Sequence, residues 1–227
     1  MGENVKVFVL SLQRGDRADV VDANQERFPN IRVIQSVNGY DEAETRKELA
    51  ALGIPYYRLQ KNFETYGTLA NWITKTKMLV RQVQEGYPYM VMLEDDMLLG
   101  ERFMEIIERL TSAPEKLAQF NVIRLAPWGE CYLTTLEGAR RTLGCLRRKG
   151  IVANIDIQLR TQCGSELYVK IGGALQQTSE TNQGDCMKTS RIDRNFESTM
   201  LAEYPSSPAC KWRQSIKFRF DNLVGRA

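Results

Sequence analysis

Residues 89–98 read YMVMLEDDML, a hydrophobic run that passes directly into three consecutive acids, Glu94, Asp95 and Asp96. A short apolar run of this kind is typical of a buried β-strand. Ionised carboxylates at the tip of a buried strand are costly unless something pairs with them, because the nearby interior has a low dielectric constant. The tip of this strand therefore either lies in solvent or holds a cation.

The chain on either side alternates between strand-like and helix-like patterns. Residues 5–12 carry apolar side chains at both odd and even positions, as expected for a strand buried on both faces. Residues 31–37 predict a second strand. Residues 68–84 carry apolar side chains at helical spacing, which predicts an amphipathic helix. Further helices are predicted within 13–28, 41–52, 101–110 and 136–146 and a further strand at 120–126, whereas the chain from Gln158 onward is less regular.

This alternation predicts an α/β fold with a mostly parallel central sheet and flanking helices. The 227 residues suffice for one substantial core, so we expect a single domain over residues 1–227, which could also be a module of a longer protein. In open α/β sheets, ligands bind beyond the carboxyl ends of the strands, where the acid triplet lies. Since alternate residues of an extended chain point the same way, we expect Glu94 and Asp96 to face a common ligand and Asp95 to point elsewhere.

The composition narrows the class of protein. With 43% hydrophobic and 26% charged residues, the chain resembles an ordinary soluble globular protein, and a net charge of +3 is too small to indicate a nucleic-acid partner. No apolar run approaches the length of a transmembrane segment, and the opening residues do not read as a secretion signal. The basic, aromatic segment 210–220 is expected to pack on this domain or a neighbouring one, with contact to a membrane or an acidic partner as the alternative.

The cysteine and histidine content restricts the chemistry. Five cysteines, an odd number without a CxxC pair, indicate reduced thiols and a cytoplasmic location. The absence of histidine excludes histidine-based triads, histidine-ligated zinc and imidazole bases. Acid–base work would therefore fall to carboxylates, lysine or tyrosine.

Oxygen ligands without histidine or cysteine suit Mg²⁺ or Mn²⁺, which keep few protein ligands and take the others from phosphates and water. A diphosphate is therefore a natural partner for the acid triplet. The alternative is a solvated strand end, or acids that cap the next helix.

The order of several motifs carries a resemblance to a known family. The segments are VFVLSLQRGDR, VNGYD, YGTLANWITKTKML, GYPYMVMLEDDML, CYLTTLEGARRTL and NIDIQL, within roughly residues 5–180. Together they resemble glycosyltransferase family 25, the group of lipooligosaccharide and collagen galactosyltransferases. The resemblance implies a GT-A fold, a nucleotide-sugar donor, with UDP favoured, and a metal held by a DxD-like motif. It also implies inversion at the anomeric carbon and a glycan or glycoconjugate acceptor, with the donor bound by about 1–100 and the acceptor by about 101–227.

Two departures from the family pattern affect the site. Where the family carries Ser-His, this chain carries Thr74 and Lys75, so any role of that histidine must be lost or replaced. A late histidine that serves as a metal ligand in many GT-A enzymes cannot exist here.

The resemblance and the strand ends together suggest roles for residues of the donor side. Asp96 is the expected ligand of Mn²⁺ or Mg²⁺, with Glu94 as a second candidate. Glu94 and Asp95 would complete the metal shell or bind ribose hydroxyls, although Asp95 could only cap a helix. The remaining expected donor contacts are Ser11, Leu12 and Arg14 for base and ribose, Arg17 for the diphosphate, Asn38 and Tyr40 at the second strand end, Asn71 and Lys75 on one helix face, and Gln176, Gln177 and Ser179 from a later segment. Each of the charged and aromatic side chains could instead be an ordinary surface residue, and Tyr40 could cover a core edge.

Asp156 is the candidate general base. It lies between Ile155 and Ile157, and partial desolvation there would strengthen a carboxylate as a base. In an inverting transfer such a base removes the proton of the acceptor hydroxyl. The alternative is a structural loop aspartate.

Two other functions compete with a glycosyltransferase. A haloacid-type phosphohydrolase needs an aspartate nucleophile at the end of the first strand, where this chain has Ser11 and Leu12. A catalytically silent nucleotide-sugar-binding module would keep donor affinity without turnover.

Overall fold

The computed structural model describes residues 4–13, 15–57, 66–126, 129–153, 155–161, 163, 166–178 and 216–217. Its strands are β1 (Val5–Ser11), β2 (Arg32–Gln35), β3 (Tyr89–Glu94), β4 (Met97–Leu99), β5 (Val122–Arg124), β6 (Cys131–Thr135), β7 (Glu166–Tyr168), β8 (Leu175–Gln177) and β9 (Ile216–Lys217). Its helices are α1 (Asp16–Arg27), α2 (Glu42–Leu52), α3 (Tyr66–Glu85), α4 (Phe103–Thr111), α5 (Pro114–Leu117), α6 (Leu136–Lys149) and α7 (Ile155–Thr161).

Seven of the described strands form one sheet in the order β2-β1-β3-β6-β5-β7-β9. The β6 strand pairs antiparallel with both neighbours, β3 and β5, whereas the other pairs of the sheet are parallel. The prediction of an α/β fold with a largely parallel sheet is therefore confirmed. The short strands β4 and β8 form a separate antiparallel pair.

Both faces of the central sheet are covered, as the apolar pattern of the first strand predicts. Val7 and Val9 of β1 belong to a core shared with α1 and α4, whereas Phe8 and Leu10 belong to a core shared with α2, α3 and α6. Successive residues of a strand point to opposite faces, which explains this division. The molecule thus has helices on both sides of the sheet.

Two predicted helices have the expected ends and faces. The Asp41 carboxylate accepts a hydrogen bond from the Glu44 N–H at the start of α2, and Gly53 ends this helix in the left-handed conformation, with a φ of 61°. Most apolar positions of α3, among them Leu69, Trp72 and Ile73, are buried. Among the described residues, no helix is long and apolar enough to cross a membrane.

The acid triplet begins in β3 and continues in a turn. Glu94 is the last residue of β3, and Asp95 and Asp96 form the turn that leads into β4. The chain is not extended at these two residues, so the alternation rule of a strand does not apply there. The three carboxylates consequently have different partners, which are described below.

The expectation that all five cysteines are reduced thiols is wrong. Cys145 of α6 and Cys163, just beyond α7, form a disulfide across Cα atoms 5.3 Å apart. Sequence spacing did not reveal the pair, because the two residues are 18 positions apart and are brought together only by the fold. The cysteine content therefore no longer supports the expected cytoplasmic location. Cys131 is a buried free thiol, and Cys186 and Cys210 lie outside the described residues.

Candidate active site

Asp95 joins the ends of the first and third strands. Its Oδ2 accepts hydrogen bonds from the Ser11 hydroxyl at 2.8 Å and from the Leu12 N–H at 3.3 Å. Its Oδ1 forms an ion pair with Arg17 Nη1 at 2.6 Å. Asp95 is only 4% exposed. Both of its oxygens are therefore engaged by the chain itself, and it holds β1 and the start of α1 to the tip of β3.

Glu94 faces the helix α3 instead. Asn71 Nδ2 and Lys75 Nζ both donate to its Oε1, over 2.9 Å and 2.6 Å. The expectation that Asn71 and Lys75 share one helix face is confirmed by this common partner. Burial alone would raise the pKa of Glu94, but the positive charge and hydrogen bond of Lys75, together with Asn71, hold that pKa below its usual value.

Lys75 is one of the larger fully buried side chains, with a relative exposure of 2%. Besides Glu94, its ammonium donates to the Gly129 carbonyl oxygen at 3.0 Å and lies 5.2 Å from the centre of the Tyr132 ring. The sequence-based expectation places Lys75 against the donor phosphates, whereas the structure places its ammonium against Glu94. Its neighbour Thr74 accepts a hydrogen bond from the Val37 N–H and so ties α3 to the end of β2.

Asp96 is held by β8 and the residue that follows it. Gln177 Nε2 donates to Asp96 Oδ2 at 3.1 Å, and the Thr178 N–H and hydroxyl both donate to the Asp96 carbonyl oxygen. The antiparallel pairing of β8 with β4 brings these residues to the turn. Arg17, whose closest contact is Asp95, also lies near Asp96, with 4.0 Å between Nη2 and Oδ2.

The loop after β2 forms a further part of this sheet edge. Tyr40 is 52% exposed, and its N–H donates to Asn38 Oδ1. Between them, Gly39 packs so closely on the start of α3 that a Cβ atom there would lie 2.5 Å from the Gly67 Cα. The glycine pair thus allows the loop and the helix start to approach each other.

The candidate base lies on a helix. Asp156 is the second residue of α7, and its side chain lies outside the described part of the structure. The segment before α7 is firmly placed, because Trp72 Nε1 donates to the Ala153 carbonyl at 2.8 Å and Gln158 accepts from the N–H groups of Val152 and Ala153. Asp156 is therefore a helical residue on an anchored segment.

The structure brings together most of the donor-side residues expected from the sequence. Ser11, Leu12 and Arg17 meet Asp95, Asn71 and Lys75 meet Glu94, and Gln177 meets Asp96. Gln176 lies exposed on β8, while Arg14, Ser179 and nearly all of segment 210–220 lie outside the described residues.

Sequence reasoning missed three groups that shape this site. They are Thr178, the Gly129 carbonyl and Asn24, whose buried amide contacts Met97 O and the Leu99 N–H and thereby fixes β4. Backbone partners of this kind leave no signal in a sequence. A buried asparagine in the polar helix α1 likewise resembles its exposed neighbours.

The described residues contain no group of three or more Asp, Glu or Cys side chains arranged to hold a metal ion. A closed metal cage made by protein ligands is therefore absent from this part of the chain. The chemistry of the donor set still suits a hard cation, because Asp96 offers carboxylate oxygen at the carboxyl edge of the sheet.

Comparison with known proteins identifies the family of this chain. The family model described as glycosyltransferase family 25 (LPS biosynthesis protein) matches residues 4–156, which include β1, the acid triplet and Asp156. A search of curated proteins gives no match. The matched region covers more than half of the 227 residues. The chain therefore belongs to glycosyltransferase family 25 and is a glycosyltransferase.

Proposed function

We propose that this glycosyltransferase is metal-dependent and transfers a sugar, with inversion, from a nucleotide-diphosphate sugar to a hydroxyl of a glycan or glycoconjugate. The observation that carries the proposal is the separate engagement of the three consecutive carboxylates at the carboxyl edge of the sheet. Glu94 is held by Lys75 and Asp95 by Arg17, while Asp96 accepts from the neutral amide of Gln177 and lies 4.0 Å from Arg17.

The charges around the triplet favour a cation at Asp96. Three carboxylates stand against the two positive charges of Lys75 and Arg17, so this group of five side chains carries a net negative charge. The two cations make their shortest contacts, both 2.6 Å, with Glu94 and Asp95. Asp96 is our first candidate ligand for Mn²⁺ or Mg²⁺, because it offers carboxylate oxygen at the carboxyl edge of the sheet, and Glu94 is the second.

A bound Mn²⁺ or Mg²⁺ would supply positive charge that offsets the charge of the departing diphosphate. With one or two protein carboxylates, most of the remaining ligands would be diphosphate oxygens and water, as these hard cations commonly accept. Arg17, with an exposed side-chain fraction of 40%, is the candidate guanidinium for the diphosphate.

The nucleoside would lie across the ends of β1 and β2. Tyr40 is the exposed aromatic side chain of this edge and is suited to stack on a base. Asn38, whose side chain orients the Tyr40 backbone, lies in the same loop. The preference for UDP over other nucleotides comes from the family resemblance.

The proposed reaction is a single displacement. The acceptor oxygen attacks the anomeric carbon while the bond from that carbon to the diphosphate oxygen breaks, and the leaving diphosphate keeps the electron pair. The acceptor proton passes to the Asp156 carboxylate, our candidate base. Its support is the family match, which extends to this residue, and the anchoring of the preceding segment by Trp72.

A donor-turnover assay tests the proposal. The protein is incubated with UDP-, GDP- and dTDP-sugars and a mixture of glycan acceptors, and release of the nucleoside diphosphate is measured with Mn²⁺ and with EDTA. We expect release from a UDP-sugar with Mn²⁺ and none with EDTA. Donor binding without release would favour the silent module, and metal-dependent release of inorganic phosphate would favour a phosphohydrolase.

A further inference from the structure

Lys75 occupies an unusual place for a lysine. It lies in α3 between buried Trp72 and Leu79, on the apolar face of the helix, and only 2% of the residue is exposed. Removing an ammonium group from water is costly unless the charge is paired and hydrogen-bonded. This cost is offset by the Glu94 carboxylate, 2.6 Å from the ammonium nitrogen, and by the Gly129 carbonyl oxygen at 3.0 Å.

The same lysine connects three parts of the site. Its helix supplies the ammonium, the tip of β3 supplies Glu94, and the β5–β6 connection supplies Gly129. The last two parts are also joined by the backbone, since the Glu94 N–H donates to the Glu130 carbonyl at 2.8 Å. Glu94 is consequently fixed at its backbone and at its side chain.

The direction of these contacts leaves one oxygen of Glu94 available. Asn71 and Lys75 both donate to Oε1, and within the described residues no hydrogen bond reaches Oε2. The Glu94 side chain is 27% exposed. A partly exposed carboxylate that is held through only one of its oxygens is suited to accept a hydrogen bond from a ligand hydroxyl through the other.

We propose that Lys75 is a positioning residue that acts through Glu94, fixing Oε1 so that Oε2 accepts a hydrogen bond from a hydroxyl of the nucleotide-sugar donor. This inference rests on the proposed donor class. It replaces a direct contact between Lys75 and the donor phosphates, because the ammonium already lies between Glu94 and Gly129. It also gives a function to the lysine that stands where the family carries a histidine.

A double-mutant cycle distinguishes the two roles of Lys75. Donor KM and kcat are measured for the wild type, Lys75→Met, Glu94→Gln and the double variant. Each single substitution should raise the donor KM roughly tenfold or more, the size expected for a lost hydrogen bond to a charged group, with a smaller change in kcat. The double variant should be no worse than the poorer single variant, because both changes remove one interaction.

Two further variants complete the experiment. Lys77→Met, two residues along α3, removes an exposed lysine paired with Glu48 at 2.7 Å and should leave KM and kcat unchanged. Should Lys75→Met fail to fold, Asn71→Ala removes the other donor to Oε1 and should raise KM severalfold, without further loss when combined with Glu94→Gln.

Three results separate the possibilities. If the KM increases of the two single variants multiplied in the double variant, Lys75 would act independently of Glu94. This result would overturn the inference. A fall in kcat at constant KM would reveal a merely structural lysine and would overturn it as well. A wild type without turnover of any nucleotide sugar would instead refute the proposed function on which the inference rests.

Discussion

Ser11 and Asp95 are 84 positions apart in the chain and are joined by a hydrogen bond of 2.8 Å between the serine hydroxyl and the carboxylate. The Ser11 oxygen in turn accepts from the Gln13 N–H at 2.7 Å, so one hydroxyl orders both the strand end and the turn after it. This hydrogen bond therefore links the end of β1 to the turn after β3, at the edge of the sheet where we place the donor.

Replacement of Ser11 by alanine should destabilise the protein. Both partners are buried, and a hydrogen bond to a charged group is worth about 1.5–3 kcal/mol. Urea unfolding of Ser11→Ala measures the loss in the free energy of unfolding. Ser112→Ala, which removes an exposed serine hydroxyl bonded to the Arg109 carbonyl, is the control and should change that free energy by less than about 0.5 kcal/mol. Equal stability of the two variants would show that the Ser11–Asp95 hydrogen bond does not stabilise the protein.

The contact of Gly39 with Gly67 predicts a sharp difference between two glycine substitutions. Gly39→Ala would place a Cβ atom 2.5 Å from the Gly67 Cα, so the loop of Asn38 and Tyr40 must move, at a cost of about 1–3 kcal/mol. Gly173→Ala meets no atom within 4 Å and should be tolerated. Unfolding measurements and donor KM values test both variants, and we expect a raised KM only for Gly39→Ala. A normal donor KM for a folded Gly39→Ala protein would count against a nucleoside site at this loop.

Reduction of the Cys145–Cys163 disulfide should lower stability. The bridge closes a loop with a sequence separation of 18, and a bridge over a loop of such length contributes about 3 kcal/mol. Unfolding with and without a phosphine reductant measures the difference, and the Cys145→Ser/Cys163→Ser variant should match the reduced wild type. Peptide mapping under non-reducing conditions should recover the two cysteines in one linked peptide. Recovery of both as free thiols from protein purified without reductant would contradict the pairing.

Cys131 should resist alkylation in the folded protein. Burial, with a further contribution from the nearby Glu130 charge, raises the pKa of the Cys131 thiol, so the reactive thiolate is scarce at pH 8. Because the raised pKa exists only in the folded state, the thiolate becomes available when the chain unfolds. Mass spectrometry after iodoacetamide treatment should find Cys131 unmodified in native protein and modified in urea. Equal labelling in both states would show that this strand end is open to solvent.

The sheet was predictable where strands are continuous apolar runs. β1 and β3 are covered on both faces, and a sequence pattern without alternation indicates such burial. β6 was missed, because Cys131–Thr135 contains two threonines and runs directly into α6. Its place between β3 and β5 depends on antiparallel pairing, which local sequence does not specify.

The candidate site was predictable as a set of residues and less so as a set of contacts. The ends of β1 and β3 suggested Ser11, Arg17 and the acids, but their mutual pairing depends on atoms brought together by the fold. A signal for the burial of Lys75 was present, because it lies three residues after Trp72 and four before Leu79 on the apolar face of α3. The contact of Gln177 with Asp96 had no such signal, since it requires β8 to return to β4.

The central claim is that Asp96 holds a metal ion through which the nucleotide diphosphate is bound. The most direct measurement is a thermal-shift titration of the wild type and Asp96→Asn with UDP, in Mn²⁺ and in EDTA, because a ligand that binds the folded state raises the melting temperature. We predict that UDP raises the melting temperature of the wild type in Mn²⁺ but not in EDTA, and that this rise is lost in Asp96→Asn. A UDP-induced rise that is equal in EDTA, or that persists in Asp96→Asn, would contradict the account.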